Sequence, residues 1–139
     1  MMKNIFLDTN IIIDFFADRK PFSTSAEVLF NYALNKKMKL YVSTVSYNNT
    51  YYILRQSLSH QQTIHLLNSL MDITEAVDVS KTILQNALKS EFKDFEDAIQ
   101  YYCALSVNKM EVIVTRNTKD FRKSNLPVMT PDELLSSLQ

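Results

Sequence analysis

The chain has 139 residues, 46% hydrophobic and 22% charged, enough for one domain with a real apolar core. Lys plus Arg and Asp plus Glu both number 15, so the net charge is zero; no global field draws the chain to nucleic acid or an anionic membrane, and any nucleic-acid contact must come from a local patch. A single cysteine, Cys103, excludes an internal disulfide and fits a reducing compartment, the cytoplasm; no apolar run reaches the ~18 residues of a membrane span, and the absence of glycine excludes every glycine-rich phosphate loop and leaves left-handed turns to Asn or Asp.

In chain order, Ile5-Phe6-Leu7 is apolar throughout and reads as a buried strand. It ends on Asp8. Thr9 and Asn10 follow as helix caps, and Ile11 to Phe16 reads as a helix with one interior acid, Asp14. In an open α/β sheet, ligands bind beyond the carboxyl ends of the strands, so Asp8 is placed for chemistry as well as for capping. Asp18 to Phe22 reads as a loop. Thr24-Ser25-Ala26-Glu27 has capping-box form and starts a helix carrying Val28, Leu29, Tyr32 and Ala33. Leu40-Tyr41-Val42 is a strand, and Ser43-Thr44 opens a helix to about Leu58 with Tyr47, Tyr51, Leu54 and Leu58 on one face. Ser59 to Gln62 is a second capping box, before a helix that buries Ile64, Leu67 and Leu70 and leaves His65 on its polar side.

Val77-Asp78-Val79 reads as a strand, and Ser80 caps a helix holding Ile83, Leu84, Ala87 and Leu88. Phe92 to Asp97 opens a helix with Ala98, Tyr101, Tyr102 and Leu105 at i, i+3, i+4, i+7 spacing. Glu111 to Thr115 is a strand, Arg116 to Phe121 a turn and short helix, and Leu126 to Met129 a last strand. Thr130-Pro131-Asp132-Glu133 combines cap, N1 proline and N3 acid before a helix ending near Leu138. This alternation predicts an α/β fold: one domain over residues 1–139, with a parallel sheet covered by helices on both faces.

Three strand-to-helix junctions carry acids or amides: Asp8 with Asn10, Asp94 with Asp97 on one helical face, and Asn117 with Asp120 after the strand ending at Thr115. Each also fits a helix cap, and an acid can do both. If the fold gathers them, carboxylates that would otherwise repel select a hard cation, Mg²⁺ or Mn²⁺. Such a site suits phosphodiester hydrolysis. Arg116, Lys119, Arg122 and Lys123 form the nearest cationic cluster for a phosphate backbone, and Tyr51, Tyr52 and Phe121 are candidates to stack bases.

The stretches Phe6-Leu7-Asp8-Thr9-Asn10-Ile11-Ile12-Ile13-Asp14, Asp94-Phe95-Glu96-Asp97-Ala98 and Val114-Thr115-Arg116-Asn117-Thr118-Lys119-Asp120-Phe121 resemble, in order and separation, the three recurrent motifs of the PIN domain. The resemblance spans nearly the whole chain. It implies a three-layer α/β/α sandwich with a central parallel sheet of four to five strands. It also implies a Mg²⁺- or Mn²⁺-dependent ribonuclease, the VapC-type toxin of a toxin–antitoxin pair, with RNA as substrate, a cognate antitoxin that inserts peptide at the acidic pocket, and a homodimer. Asp8 and Asp97 match the first and third catalytic acids, and Asp94 an acid that accompanies the third. Asn49 and Asn117 stand where the family usually has Glu and a fourth acid, with Asp120 the nearby carboxylate that could compensate. Asp8, Asp94, Asp97, Asn117 and Asp120 are therefore the expected metal contacts, and Asn10, Asn49, Thr115, Arg116 and Lys119 the expected substrate contacts. Two neutral amides bring no charge, so weaker metal binding than at a four-acid site is expected. The alternative is a PIN-like module with weakened catalysis that binds RNA or protein.

Overall fold

A computed structural model describes residues 3–138. The elements are β1 (Lys3–Leu7), α1 (Thr9–Phe16), α2 (Phe22–Leu34), β2 (Met38–Ser43), α3 (Thr44–Leu54), α4 (His60–Ile73), β3 (Glu75–Val77), α5 (Lys81–Lys89), α6 (Phe95–Ser106), β4 (Val112–Val114), a 3-10 turn at Thr118–Phe121, β5 (Val128–Met129) and α7 (Pro131–Ser137). All five strands are parallel, in the order β3-β2-β1-β4-β5. Helices cover both faces, giving a three-layer α/β/α sandwich.

Period-two alternation divides the core between the faces. Ile5 and Leu7 of β1, with Leu40, Val42, Val112 and Val114, pack against α1, α2, α4 and α7. Phe6 and Ile113 point the other way, into a second cluster with Ile83, Ala98, Ile99, Tyr101 and Phe121. Ile5, Phe6 and Leu7 have no exposed surface, and each such side chain stabilises the fold by roughly 1.5–3 kcal/mol. Cys103 is a fully buried core residue, and burial pushes its thiol up to about 12. Among the described residues no helix is long and apolar enough to cross a membrane.

Several expected boundaries move. The cap of α1 is Asp8 itself, which accepts the Thr9 N–H, rather than Thr9 or Asn10. Helix α2 starts at Phe22, ahead of the Thr24–Glu27 box, and has no side-chain cap. Helix α3 ends at Leu54, and the chain turns before the Ser59 box. Strand β3 lies two residues earlier than expected, because its register is set by pairing Tyr41 with Glu75 and Ser43 with Val77. The apolar stripes are wider than the faces they bury: Ile64, Leu88 and Leu105 are exposed. Left-handed turns fall not only to Asp18 but also to Lys36 and Lys109. Lys36 takes the usual glycine place of a Schellman cap: its N–H donates to the Ala33 carbonyl and that of Lys37 to Tyr32.

Candidate functional site

Chain order and spatial order part company between β1 and β4. The chain leaves β1 toward β2 on one side, while β4 returns on the other. A crevice opens at the carboxyl ends of such a pair. Register places Leu7 beside Val114, so Asp8 and Thr115 emerge side by side. The Asp8 N–H donates to the Val114 carbonyl at 2.9 Å. The Asp8 carboxylate is 7% exposed. Its Oδ1 accepts the Thr9 N–H and its Oδ2 the Thr115 hydroxyl, both at 2.8 Å.

Over this pair lies a cavity of about 470 Å³, lined by Asp8, Thr9, Asn10, Ile13, Arg19, Asn49, Tyr52, Ile53, Glu96, Asp97, Asn117 and Asp120. The fold thus gathers six of the expected residues: Asp8, Asn10, Asn49, Asp97, Asn117 and Asp120. Asp94 and Lys119 instead line a smaller adjoining cleft of about 80 Å³ with Lys93, Arg122 and Lys123, sharing Asp97 and Asp120 with the main cavity. Asp94 also caps α6, its Oδ1 accepting the Asp97 N–H at 3.0 Å. Thr115 is buried beneath the floor, where its oxygen accepts the Asn117 N–H at 3.1 Å. Arg116 turns away: its Nε sits 2.7 Å from Asp14 Oδ2 and its guanidinium lies 4.1 Å from the centre of the Phe22 ring. Phe121 is 1% exposed in the core and cannot stack a base. Tyr52, 65% exposed at the cavity, retains that freedom.

Two side chains carry roles the sequence did not reveal. Glu96 brings a fourth carboxylate to the cavity wall; its signal was only its place in the first turn of α6, one residue before Asp97. Gln100, fully buried, has its amide nitrogen 3.1 Å from Thr9 Oγ1 and 2.9 Å from Ser46 Oγ.

The electrostatics follow from burial without a counter-charge. Burial pushes Asp8 up to about 6, and the charges of Glu96 and Asp120 add to that, against the two hydrogen bonds. Burial likewise pushes Asp97 up to about 7, reinforced by Asp8, Asp94, Asp120 and Glu96. Arg19 is the one cation among the lining residues, and its Nη1 is 4.0 Å from Asp14 Oδ1.

The expected Mg²⁺ or Mn²⁺ site is not supported. Among the described residues, no three or more His, Cys, Asp or Glu side chains are grouped so as to hold a metal ion. Glu96, Asp97 and Asp120 share the cavity wall with Asp8 but do not close on one point with it. Asp8 is held by two donors, Asp94 is turned to its cap, and positions 49 and 117 supply only neutral amides.

Known proteins agree with this architecture. The chain is 24% identical over 136 residues to Ribonuclease VapC1 of Aquifex aeolicus (strain VF5), a match that covers 94% of this chain and 92% of that protein. Its fold is similar to a chain of a toxin–antitoxin complex from Klebsiella pneumoniae, with TM-score 0.67, 25% identity, and 91% and 97% of the two chains covered. It is also similar to a chain of DNA-bound VapBC from Salmonella typhimurium, with TM-score 0.67, 18% identity, and 94% and 99% covered. The fold is therefore VapC-like. The PIN domain family model matches residues 4–119, a span that holds β4, all of β1 but Lys3, and every residue lining the acidic cavity except Asp120, and on that match the chain belongs to the PIN domain family.

Proposed function

We propose that this chain is the toxin-type member of a two-protein pair, a PIN module of weakened catalytic capacity whose acidic cavity takes a cationic segment of its protein partner. One observation carries this reading: Asp8, Glu96, Asp97 and Asp120 line a single cavity in which Arg19 is the one cation. Buried carboxylates without a counter-ion hold protons or wait for a cation from outside. Among the described residues these acids are not grouped to hold a metal ion, so a guanidinium or ammonium group from a partner is the fitting occupant. A guanidinium offers five donors to carboxylates in fixed geometry. The relatives support the reading, because two of the similar structures are a toxin–antitoxin complex and a VapBC complex.

The test is a titration, followed by amide chemical shifts, with N-acetyl-arginine methylamide and with the neutral citrulline isostere. Saturable binding of the arginine probe alone, centred on the cavity residues and weakened by salt, is expected. Binding of both probes alike, or of neither, overturns the reading.

A second reading, RNA hydrolysis, is favoured by one feature: Lys93, Lys119, Arg122 and Lys123 surround the adjoining cleft that shares Asp97 and Asp120 with the cavity. RNA cleavage by the wild type that disappears in both Asp8→Asn and Asp97→Asn would place this reading first.

A further inference from the structure

The cavity wall formed by α3 is neutral on its own account, since Asn49, Tyr52 and Ile53 supply no charge there. We infer that Glu96, reaching across from α6, is the carboxylate that charges this wall, and that it sets the cavity's selectivity for a guanidinium over a neutral group of the same shape. The inference rests on the partner-binding reading above and deepens it.

Proton bookkeeping identifies where Glu96 is aimed. Gln100 presents its amide nitrogen to both Thr9 Oγ1 and Ser46 Oγ, and an amide nitrogen can only donate. The Thr9 and Ser46 oxygens are 2.7 Å apart, so one hydroxyl donates to the other. Glu96 Oε2 lies 3.1 Å from Thr9 Oγ1, and a carboxylate can only accept. Ser46 Oγ also lies 3.3 Å from Ser43 Oγ, a longer contact than the 2.7 Å to Thr9; with Ser46 donating to the nearer oxygen, the chain runs Gln100 to Ser46 to Thr9 to Glu96. The Thr9 hydroxyl is thereby committed to Glu96, and the carboxylate is the terminus of a donor chain rooted in the core. Thr9, Ser46 and Gln100 are all at least nine-tenths buried. They belong to α1, α3 and α6, so the chain fixes Glu96 relative to all three helices. Ser46 stands one helical turn before Asn49, so the donor chain that holds Glu96 runs through the helix that forms the neutral wall. The charge is felt across the cavity, for Glu96 contributes to the upward shift of both Asp8 and Asp97.

The competing role for Glu96 is that of an ordinary first-turn acid complementing the helix dipole. That role would affect stability but not the choice between the two probes. The experiment therefore measures arginine and citrulline probe affinities for wild type, Glu96→Gln, Thr9→Val and Glu27→Gln. Glu27 is an exposed acid on α2, outside the cavity lining, and serves as the control for general charge.

Glu96→Gln is expected to weaken the arginine probe by about fivefold, the worth of one charge-assisted contact, and to leave the citrulline probe unchanged. Thr9→Val should weaken it in the same direction by less, and should add nothing once position 96 is Gln. Glu27→Gln should leave both affinities within about twofold. If wild type binds the arginine probe and Glu96→Gln binds it equally well, the inference fails while the partner-binding reading stands. An equal loss in Glu27→Gln also overturns it, because the effect would then be a diffuse field. A wild type blind to both probes overturns the partner-binding reading, and this inference with it. If Thr9→Val does not fold, Glu96→Gln against Glu27→Gln decides.

Discussion

Asp8 and Asp14 stand six residues apart on the same strand–helix unit, one capping α1 and the other inside it. Both are buried, at 7% and 1% exposure. Burial raises the proton affinity of each above the ordinary carboxylate value. They differ in what opposes that burial. Asp14 faces Arg116 at 2.7 Å and Arg19 at 4.0 Å, so the chain supplies its own counter-charge. Asp8 has two hydrogen bonds and, across the cavity, three further acids. A buried acid with an internal cation is explained by the fold. One left among other acids is not, and its cost is accepted where a ligand supplies the missing charge.

The sharpest way to break this contrast is to remove the cation from Asp14. The two side chains meet by charge more than by aligned hydrogen bonding: neither Asp14 oxygen nor Arg116 Nε has a satisfied hydrogen-bond partner. Arg116→Leu leaves the acid buried with only the more distant, half-exposed Arg19 as counter-charge, which is expected to cost about 3 kcal/mol in urea unfolding. Asp14→Leu with Arg116→Leu should recover most of that loss, since the penalty lies in the unpaired charge rather than in the missing contact. A double variant no better than the single one would mean that Arg116 acts through its packing on Phe22. The chain would then gain nothing special from neutralising Asp14.

A smaller effect is expected on the acidic side. Burial, with the neighbouring acids, pushes Asp97 from the ordinary carboxylate range up to about 7. The folded state therefore holds a proton that the unfolded state releases. The group's contribution to stability is fully present below about pH 4 and is lost as pH rises toward 7. Asp97→Asn mimics the protonated form. It should leave unfolding unchanged near pH 4 and stabilise the protein by about 1 kcal/mol at pH 8, a figure reduced for partial solvent screening. Thermal melts at the two pH values measure it. A gain of equal size at both would show that the carboxylate is not strained by its neighbours.

The division between Asp8 and Asp14 also marks what the sequence could and could not disclose. Apolar runs of strand length, and the capping boxes at Ser59 and Thr130, locate most of the elements because their signals are local. The edge strand β3 lies earlier than expected because Val77-Asp78-Val79 alternates more clearly than Glu75-Ala76-Val77, and only pairing with β2 reveals the true register. Lys36 and Lys109 in left-handed turns were invisible for a related reason: nothing local marks a lysine that must replace glycine. At the cavity, Asp8 and Asp120 are legible as acids that follow strands, and Asp97 as a first-turn helix acid, although α5 and not the expected strand precedes α6. Glu96 was not, because its value comes from Thr9, Ser46 and Gln100, drawn from three separate helices. Arg116 looked like a phosphate contact in the sequence; only the fold reveals that residue 116 faces α1 while residues 115 and 117 face Asp8 and the cavity.

Arg19 borders both halves of the comparison and supplies its finest test. It lines the acidic cavity, yet its guanidinium reaches only to 4.0 Å from Asp14 and its side chain is 43% exposed. Exposed pairs of this kind contribute from near zero to about 1 kcal/mol. Arg116 remains on Asp14 in any case. Arg19→Gln should therefore change stability by less than about 0.5 kcal/mol. Its effect on the cavity should have the opposite sign from that of the carboxylate variants. Removing the one positive lining group deepens the negative potential, so the arginine probe should bind two- to threefold more tightly at low salt, and the difference should fade as salt is raised, on the order expected for a partly screened charge. Weaker binding in Arg19→Gln would mean that Arg19 holds the cavity in shape for the probe rather than opposing its charge.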